Sequence, residues 1–293
     1  MLLFRVGDFY ETFGTDAVKA SRILGIILTK RKNGAAAEME LAGFPHHSLE
    51  TYLPKLVRAG QRVAICDQLE DPKMTKTIVK RGVTELVTPG LAFNDQVLEQ
   101  RTNNFLCALH LDKNEVGAAF LDISTGEFLV AQGTANYIDK LISGFRPTEI
   151  IYQKSKSSVI HELFGNEAFH FKLEDWVFGQ DFANEQLNKH FGTQSLKGFG
   201  LENQMLSIVA AGAVFHYLSE NQQQLGHITG ISRIAPDRYM WLDRFTVRNL
   251  ELIHSAHENA LTLSGVLDQT KTPMGGRLLK RWLVLPLKDR KPI

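Results

Sequence analysis

Gly7-Asp8-Phe9-Tyr10-Glu11-Thr12-Phe13 sets three aromatic rings and two carboxylates side by side, just past a run of strand character. There a side chain can project from a rigid edge. The same residues also read as plain structure, with Phe9, Tyr10 and Phe13 packing under the next helix and Asp8 and Glu11 facing water, since aromatic clusters usually serve a core. Four further carboxylates, Asp112, Asp122, Glu127 and Glu149, raise the alternative of a metal-dependent nuclease. That chemistry needs acids converging from strand ends to hold two metals about 4 Å apart. Asp112 falls in a turn and Asp122 precedes another, with no second acid beside it on its strand, so the spacing argues against a catalytic or metal-binding set.

Other residue types exclude more than they suggest. Cys66 and Cys107 stand far apart and outside any C-x-x-C pattern, which reads as two buried thiols and not as a disulfide or a zinc site. No Gly-Lys dipeptide occurs, so the loop Gly-x-x-x-x-Gly-Lys-Ser/Thr that cradles nucleotide phosphates is absent from these residues. Lys30-Arg31-Lys32, the group Lys73, Lys76, Lys80 and Arg81, and the group Arg277, Lys280, Arg281, Lys288, Arg290 and Lys291 are basic clusters, each readable as a phosphate contact or as a solvated face. A net charge of +1 excludes a surface that coats nucleic acid indiscriminately. His46 and His47 follow Pro45 at a turn, where they either approach a DNA backbone or are incidental. No apolar run is long enough to span a bilayer, and Met1-Leu2-Leu3-Phe4-Arg5 lacks the features of a signal peptide, so the reading is a soluble, cytoplasmic protein without a membrane partner.

The elements that must position these residues follow from periodicity. At 293 residues the chain exceeds one ordinary domain. Residues 1–90 read as a small α/β domain with a mixed sheet. It has a strand over 2–6, a helix from Asp16 to about Leu28 capped by Asp16, a basic loop over 30–37 and a strand over 39–44. A helix from Ser48 to about Ala59, kinked at Pro54, and strands over 62–69 and 82–88 complete it. Residues 91–101 carry no apolar period and are the expected linker. Over 102–238, strands at 106–111, 117–123 and 127–132 are joined by hairpin turns. A helix over 135–143, a strand at 149–152 and a long apolar helix over 201–219 follow, which together open an RNase H-like α/β sheet among other folds. Residues 239–293 change to helical spacing with no closing partner inside the chain, the expected start of an all-helical domain cut off at Ile293.

Residues 5–13, Arg-Val-Gly-Asp-Phe-Tyr-Glu-Thr-Phe, resemble the mismatch-binding motif of the MutS family, whose core is Phe-x-Glu preceded by Gly-Asp. Leu28-Thr29-Lys30-Arg31, Leu41-Ala42-Gly43-Phe44-Pro45, Val63-Ala64-Ile65-Cys66-Asp67-Gln68 and Val87-Thr88-Pro89-Gly90 follow in the family's order. Leu121-Asp122-Ile123-Ser124-Thr125-Gly126 is similar to its connector domain, and Arg248-Asn249-Leu250-Glu251 and Thr272-Pro273-Met274-Gly275 to the start of its helical core.

The resemblance covers essentially the whole chain. It implies an amino-terminal fragment whose substrate is double-stranded DNA with mismatches or small loops. Phe9 would wedge against a mispaired base and Glu11 would hydrogen-bond it, with Lys30, Arg31 and Lys32 as backbone contacts. It further implies a non-catalytic connector that contacts MutL, a homodimer in the intact protein and a bacterial, nucleoid-associated setting. ATP and Mg would belong to an ATPase domain beyond these residues, leaving no cofactor in the fragment. A strand beginning at Leu2 is taken to imply an arm before Met1.

Overall fold

The first hairpin turns at Gly7. The computed structural model describes residues 1–32, 38–70, 79–91, 100–221, 225–255, 257 and 260–289; in it Gly7 has φ +56° while Asp8 stays at negative φ. Positive φ at the first loop residue alone is the pattern of a type II′ turn, whose twist suits a two-residue hairpin. Strand β1 (Leu2–Val6) thereby pairs with β2 (Phe9–Phe13), Val6 opposite Phe9.

The chain divides into two compact units, Met1–Val97 and Leu98–Ile293. Residues 92–99 of the expected linker lie outside the described residues, as do Lys73, Lys76, Arg290 and Lys291. The first unit continues with α1 (Gly14–Leu24), β3 (Thr29–Lys32), β4 (Glu38–Pro45), α2 (Leu49–Arg58), β5 (Val63–Gln68) and β6 (Arg81–Val87). Its six strands run in the order β3-β4-β2-β1-β5-β6, with only β1 and β5 parallel. Both helices cover one face, over Leu3, Tyr10, Ala42, Phe44 and Ile65.

Three sequence expectations are corrected here. Helix α1 stops at Gly25, which adopts φ +69° and donates its N–H to the Ser21 carbonyl, so Ile27 and Leu28 lie outside it and exposed. Asp16 sits inside the first turn rather than capping it, where its charge still favours the helix dipole. The basic loop expected over 30–37 is, over Thr29–Lys32, an edge strand on β4 with Lys30 opposite Glu40. Charged side chains are what an edge strand tolerates, and the opposed acid compensates them.

The second unit is built on β7 (Phe105–Asp112), β8 (Glu115–Asp122), β9 (Glu127–Thr134), β10 (Glu149–Gln153), β11 (Phe169–Leu173) and the short β12 (Ser232–Arg233). The sheet order is β11-β10-β7-β8-β9-β12, with β8 alone antiparallel to its neighbours, as an RNase H-like sheet requires. Helices α3 (Ala135–Phe145) and α4 (Ser157–Phe164) cover one face; α6 (Met205–Glu220) lies on the other with α5 (Gln180–Phe191) behind it. Burial on both faces explains why β8 reads as a continuous small and apolar run instead of an alternating one. Both cysteines are buried, and burial pushes both thiols up from their ordinary range.

The closing segment holds α7 (Arg244–Asn249), α8 (Leu263–Leu267) and α9 (Pro273–Val284), each begun by a side-chain cap, from Asp243, Thr262 and Thr272. The sequence showed no closing partner for these residues. The structure supplies one: Val284 and Leu285 join the core formed by Phe105, Phe120, Ile138 and Leu141, with Trp241, Val247 and Ile253 packed against it. Among the described residues no helix is long and apolar enough to cross a membrane.

One half-buried histidine makes this unit acid-sensitive. His170 on β11 stacks on His161 at 4.4 Å, and both its ring nitrogens are buried without a hydrogen-bond partner. Burial first, and the neighbouring His161 second, lower its pKa to about 4. An unfolded chain takes up that proton near pH 6.5 and the folded one only near 4, so this contribution to stability is complete above 6.5 and is lost as pH falls through 4. Relative to His170→Phe, the native chain should lose on the order of 2 kcal/mol between pH 7 and pH 4. Urea midpoints across that range check this; parallel profiles for the two proteins would show that His170 is not the group responsible.

Candidate nucleic-acid interface

Alternation along β2 divides the aromatic cluster between the two faces of the first sheet. Tyr10 and Thr12 point into the core, while Phe9, Glu11 and Phe13 share the face that no helix covers among the described residues. Phe9 is 47% exposed and Tyr10 only 3%, so the core reading holds for Tyr10 and not for Phe9. Strand register extends the open face sideways: Phe4 of β1 stands opposite Glu11 on one side, and Gly43 of β4 stands opposite it on the other.

The turn that carries Phe9 is braced from three directions. The Asp8 carbonyl accepts the backbone N–H of His46 at 2.8 Å, and His46 Nδ1 lies 3.2 Å from the same oxygen, a second hydrogen bond when that nitrogen holds the proton. Arg5 Nε donates to the Gly7 carbonyl at 2.8 Å, and its guanidinium reaches Asp67 at 3.4 Å. The Tyr10 hydroxyl donates to the same Asp67 carboxylate at 2.8 Å. Burial, then the hydrogen bond to Asp67, push the Tyr10 phenol up to about 12. His46 thus has a structural task, holding the Phe9 turn, while His47 is exposed beside it.

Of the basic trio expected to meet phosphates, the structure brings one member to this face. Arg31 stands opposite Met39, on the side of β4 that carries Gly43, and its Nη1 lies 3.4 Å from Glu11 Oε2. Lys30, one residue earlier, belongs to the opposite face by strand alternation. The side chain of Lys32 lies outside the described residues. On the far side, Arg81 of β6 places its guanidinium 5.4 Å from the centre of the Phe4 ring and donates Nε to the Arg5 carbonyl at 2.9 Å. Sequence reading saw Arg81 only as one charge in a run. Nothing local could place it at this face, because its partners Phe4 and Arg5 are over seventy residues away. The surface is therefore an aromatic strip of Phe4, Phe9 and Phe13 around one carboxylate, with a guanidinium on each flank.

Gly43 keeps that arrangement possible. A β-carbon there would sit 2.9 Å from the Tyr10 carbonyl oxygen and 3.4 Å from Glu11 Cγ. Gly43→Ala should force β4 away from β2, lower stability by about 1–2 kcal/mol and displace Glu11. Chemical denaturation reads the first effect; an unchanged midpoint would mean that β4 yields there without strain.

The carboxylates of the second unit are arranged otherwise than the sequence suggested. Glu127 lies directly opposite Asp122 across β8 and β9, so Asp122 does have an acidic neighbour. Both accept from Asn103 Nδ2, at 2.7 and 3.2 Å; Glu127 is also paired with Arg281, and Asp122 accepts the Ser124 hydroxyl at 2.6 Å. Glu149 accepts the Tyr217 hydroxyl at 2.5 Å from the α6 side. Asp112 lies at the other end of β7, seven residues and roughly 20 Å along the strand. An amide and a guanidinium fill the donor positions a metal would need, and among the described residues no group of three or more His, Cys, Asp or Glu is placed to hold one.

Three family models describe this chain in order: MutS domain I over residues 1–96, MutS domain II over 104–229 and MutS domain III over 245–293. Among curated proteins, the DNA mismatch repair protein MutS of Christiangramia forsetii is 63% identical across the whole chain, and that of Flavobacterium johnsoniae 62%. The MutS of Cytophaga hutchinsonii is 60% identical, again over the whole chain. The chain spans about a third, 34%, of the length of each.

Proposed function

The chain belongs to the MutS family of DNA mismatch repair proteins, and from that premise we propose that its first unit senses mispaired or looped-out bases in double-stranded DNA through Phe9 and Glu11. The observation that carries this reading is the exposure of Phe9 on a sheet face shared with Glu11, at the tip of a braced hairpin. A mispaired base stacks and pairs poorly, so the duplex opens there at lower cost than at a matched step. Phe9 enters from the minor groove as an apolar wedge and stacks on one base of the mispair. Stacking on an aromatic ring tolerates any base, which suits a sensor of many different mispairs. Glu11 accepts a hydrogen bond from a ring nitrogen of the displaced base, and where no such donor is presented its charge opposes binding.

Arg31 has two partners in this scheme. Before DNA arrives it compensates Glu11 at 3.4 Å; at the kink it meets backbone phosphate and orients the protein without reading sequence, a role that Lys30, on the opposite face of the sheet, does not share there. The RNase H-like sheet of the second unit acts as a connector that relays the bound state to MutL. In the intact protein, ATP and Mg act outside these 293 residues and two copies pair.

Fluorescence anisotropy of the intact gene product on matched and G·T-mismatched duplexes, at one fixed salt concentration, tests the reading. Tighter binding to the mismatched duplex is expected, and equal affinity for both would overturn it.

A further inference from the structure

Arginine ends helix α3 where glycine usually does. Arg146 has φ +47°, the left-handed conformation of a helix stop, which strains any residue with a β-carbon. Its side chain lines two adjoining recesses of the second unit, of about 330 and 690 Å³, which share Arg146 and His254. Arg277, Lys280 and Arg281 of α9 line the first, and Arg244 and Arg248 of α7 line the second.

The charge is unbalanced. Six arginines and lysines line the two recesses with one lining carboxylate, Glu167, which is already paired with Arg244 at 2.7 Å, while Lys280 lies near Asp268. Arg281 is matched by Glu127 beside the recess. Arg277 donates to the Gln100 carbonyl at 2.6 Å, a contact that leaves its charge uncompensated. Arg146 and Arg248 have no side-chain hydrogen bond or ion pair among the described residues. In a chain of net charge +1, such a concentration of cations around an apolar floor of Phe145 and Val284 is a local anion trap.

We propose that these adjoining recesses together bind a compact anion carrying several phosphates, held between α3, α7 and α9. Guanidinium groups present planar, forked donors that match phosphate oxygens, and five of the six cations lining the recesses are arginines. The size decides the form of ligand. Adjoining recesses of about 330 and 690 Å³ admit a free polyphosphate or a mononucleotide and are too small for a duplex.

Calorimetric titration of the whole chain with tripolyphosphate at 100 mM salt tests the site. One-to-one binding is expected, weakened at least tenfold by Arg146→Gly and by Arg248→Gln, and unchanged by Lys189→Gln on the exposed side of α5. Glycine suits the backbone at position 146, so that variant should fold with an equal or higher thermal midpoint, which separates lost binding from lost structure. Repeating the titration with a nucleoside triphosphate distinguishes the ligand's source: equal affinity assigns recognition to the phosphate chain alone, and tighter binding assigns it to a nucleotide. Absence of tripolyphosphate binding, equal weakening by all three variants, or binding of a single-stranded oligonucleotide without tripolyphosphate would overturn the proposal.

Discussion

Phe9→Ala should erase the preference for mismatched over matched duplex while leaving the salt-sensitive background affinity where it was. Base–aromatic stacking contributes on the order of 1–3 kcal/mol, so affinity for a G·T duplex should fall roughly 5- to 150-fold. The fold should not suffer. Phe9 is 47% exposed and stands outside the buried core, so stability should change by less than about 0.5 kcal/mol. Anisotropy titrations on both duplexes, paired with a thermal melt, separate the two effects. Preference that survives the substitution would move the sensing role to another residue of the open face, with Phe4 and Phe13 the first to examine.

The second large effect concerns the support of the connector sheet. Gly117 lies on β8 beneath the start of α6, and a β-carbon added there would sit 2.1 Å from the Leu206 carbonyl carbon and 2.5 Å from the Ser207 nitrogen. Backbone cannot move aside as a side-chain end can. Gly117→Ala must lift α6 from the sheet, and with it the hydrogen bond by which Gln132 Oε1 accepts the Leu206 N–H at 2.9 Å. A loss of about 3 kcal/mol or more is expected, at the upper end for overpacking. Gly212, whose β-carbon would fall 2.5 Å from Ala183 on α5, makes the same demand on the other side of the helix. Urea denaturation of both variants checks this, and a midpoint close to the native one would show that α6 has slack it does not display here.

How far the sequence carried depended on whether the deciding contact was local. Strands β7 to β10 of the second unit were legible because their apolar runs are bounded by turns, as at Lys113-Asn114-Glu115 and Ser124-Thr125-Gly126, whereas β11 and the two-residue β12 were not read. Strand β3 was not, since four charged or polar residues on an edge strand have no apolar alternation to betray them. Helix α1 was overextended because Ile27 and Leu28 keep the helical spacing past Gly25, and the glycine stop outweighs the period. The Phe9–Glu11 pair entered through resemblance to a family; residue chemistry alone favoured a core role for Phe9, and only strand register separates it from Tyr10. Arg81, the Asp122–Glu127 pairing and the packing of Val284 against the second sheet all join residues distant in the chain, which composition and spacing do not report.

The central claim is that Phe9 touches the mispaired base itself. A duplex carrying 5-iododeoxyuridine as one partner of a mispair, irradiated in complex with the intact gene product and mapped by mass spectrometry, tests contact directly. Cross-linking should fall on Phe9, within the tryptic peptide spanning residues 6–19, and should vanish when the same base is correctly paired. Cross-links confined to other peptides, with residues 6–19 unmodified, would contradict the account.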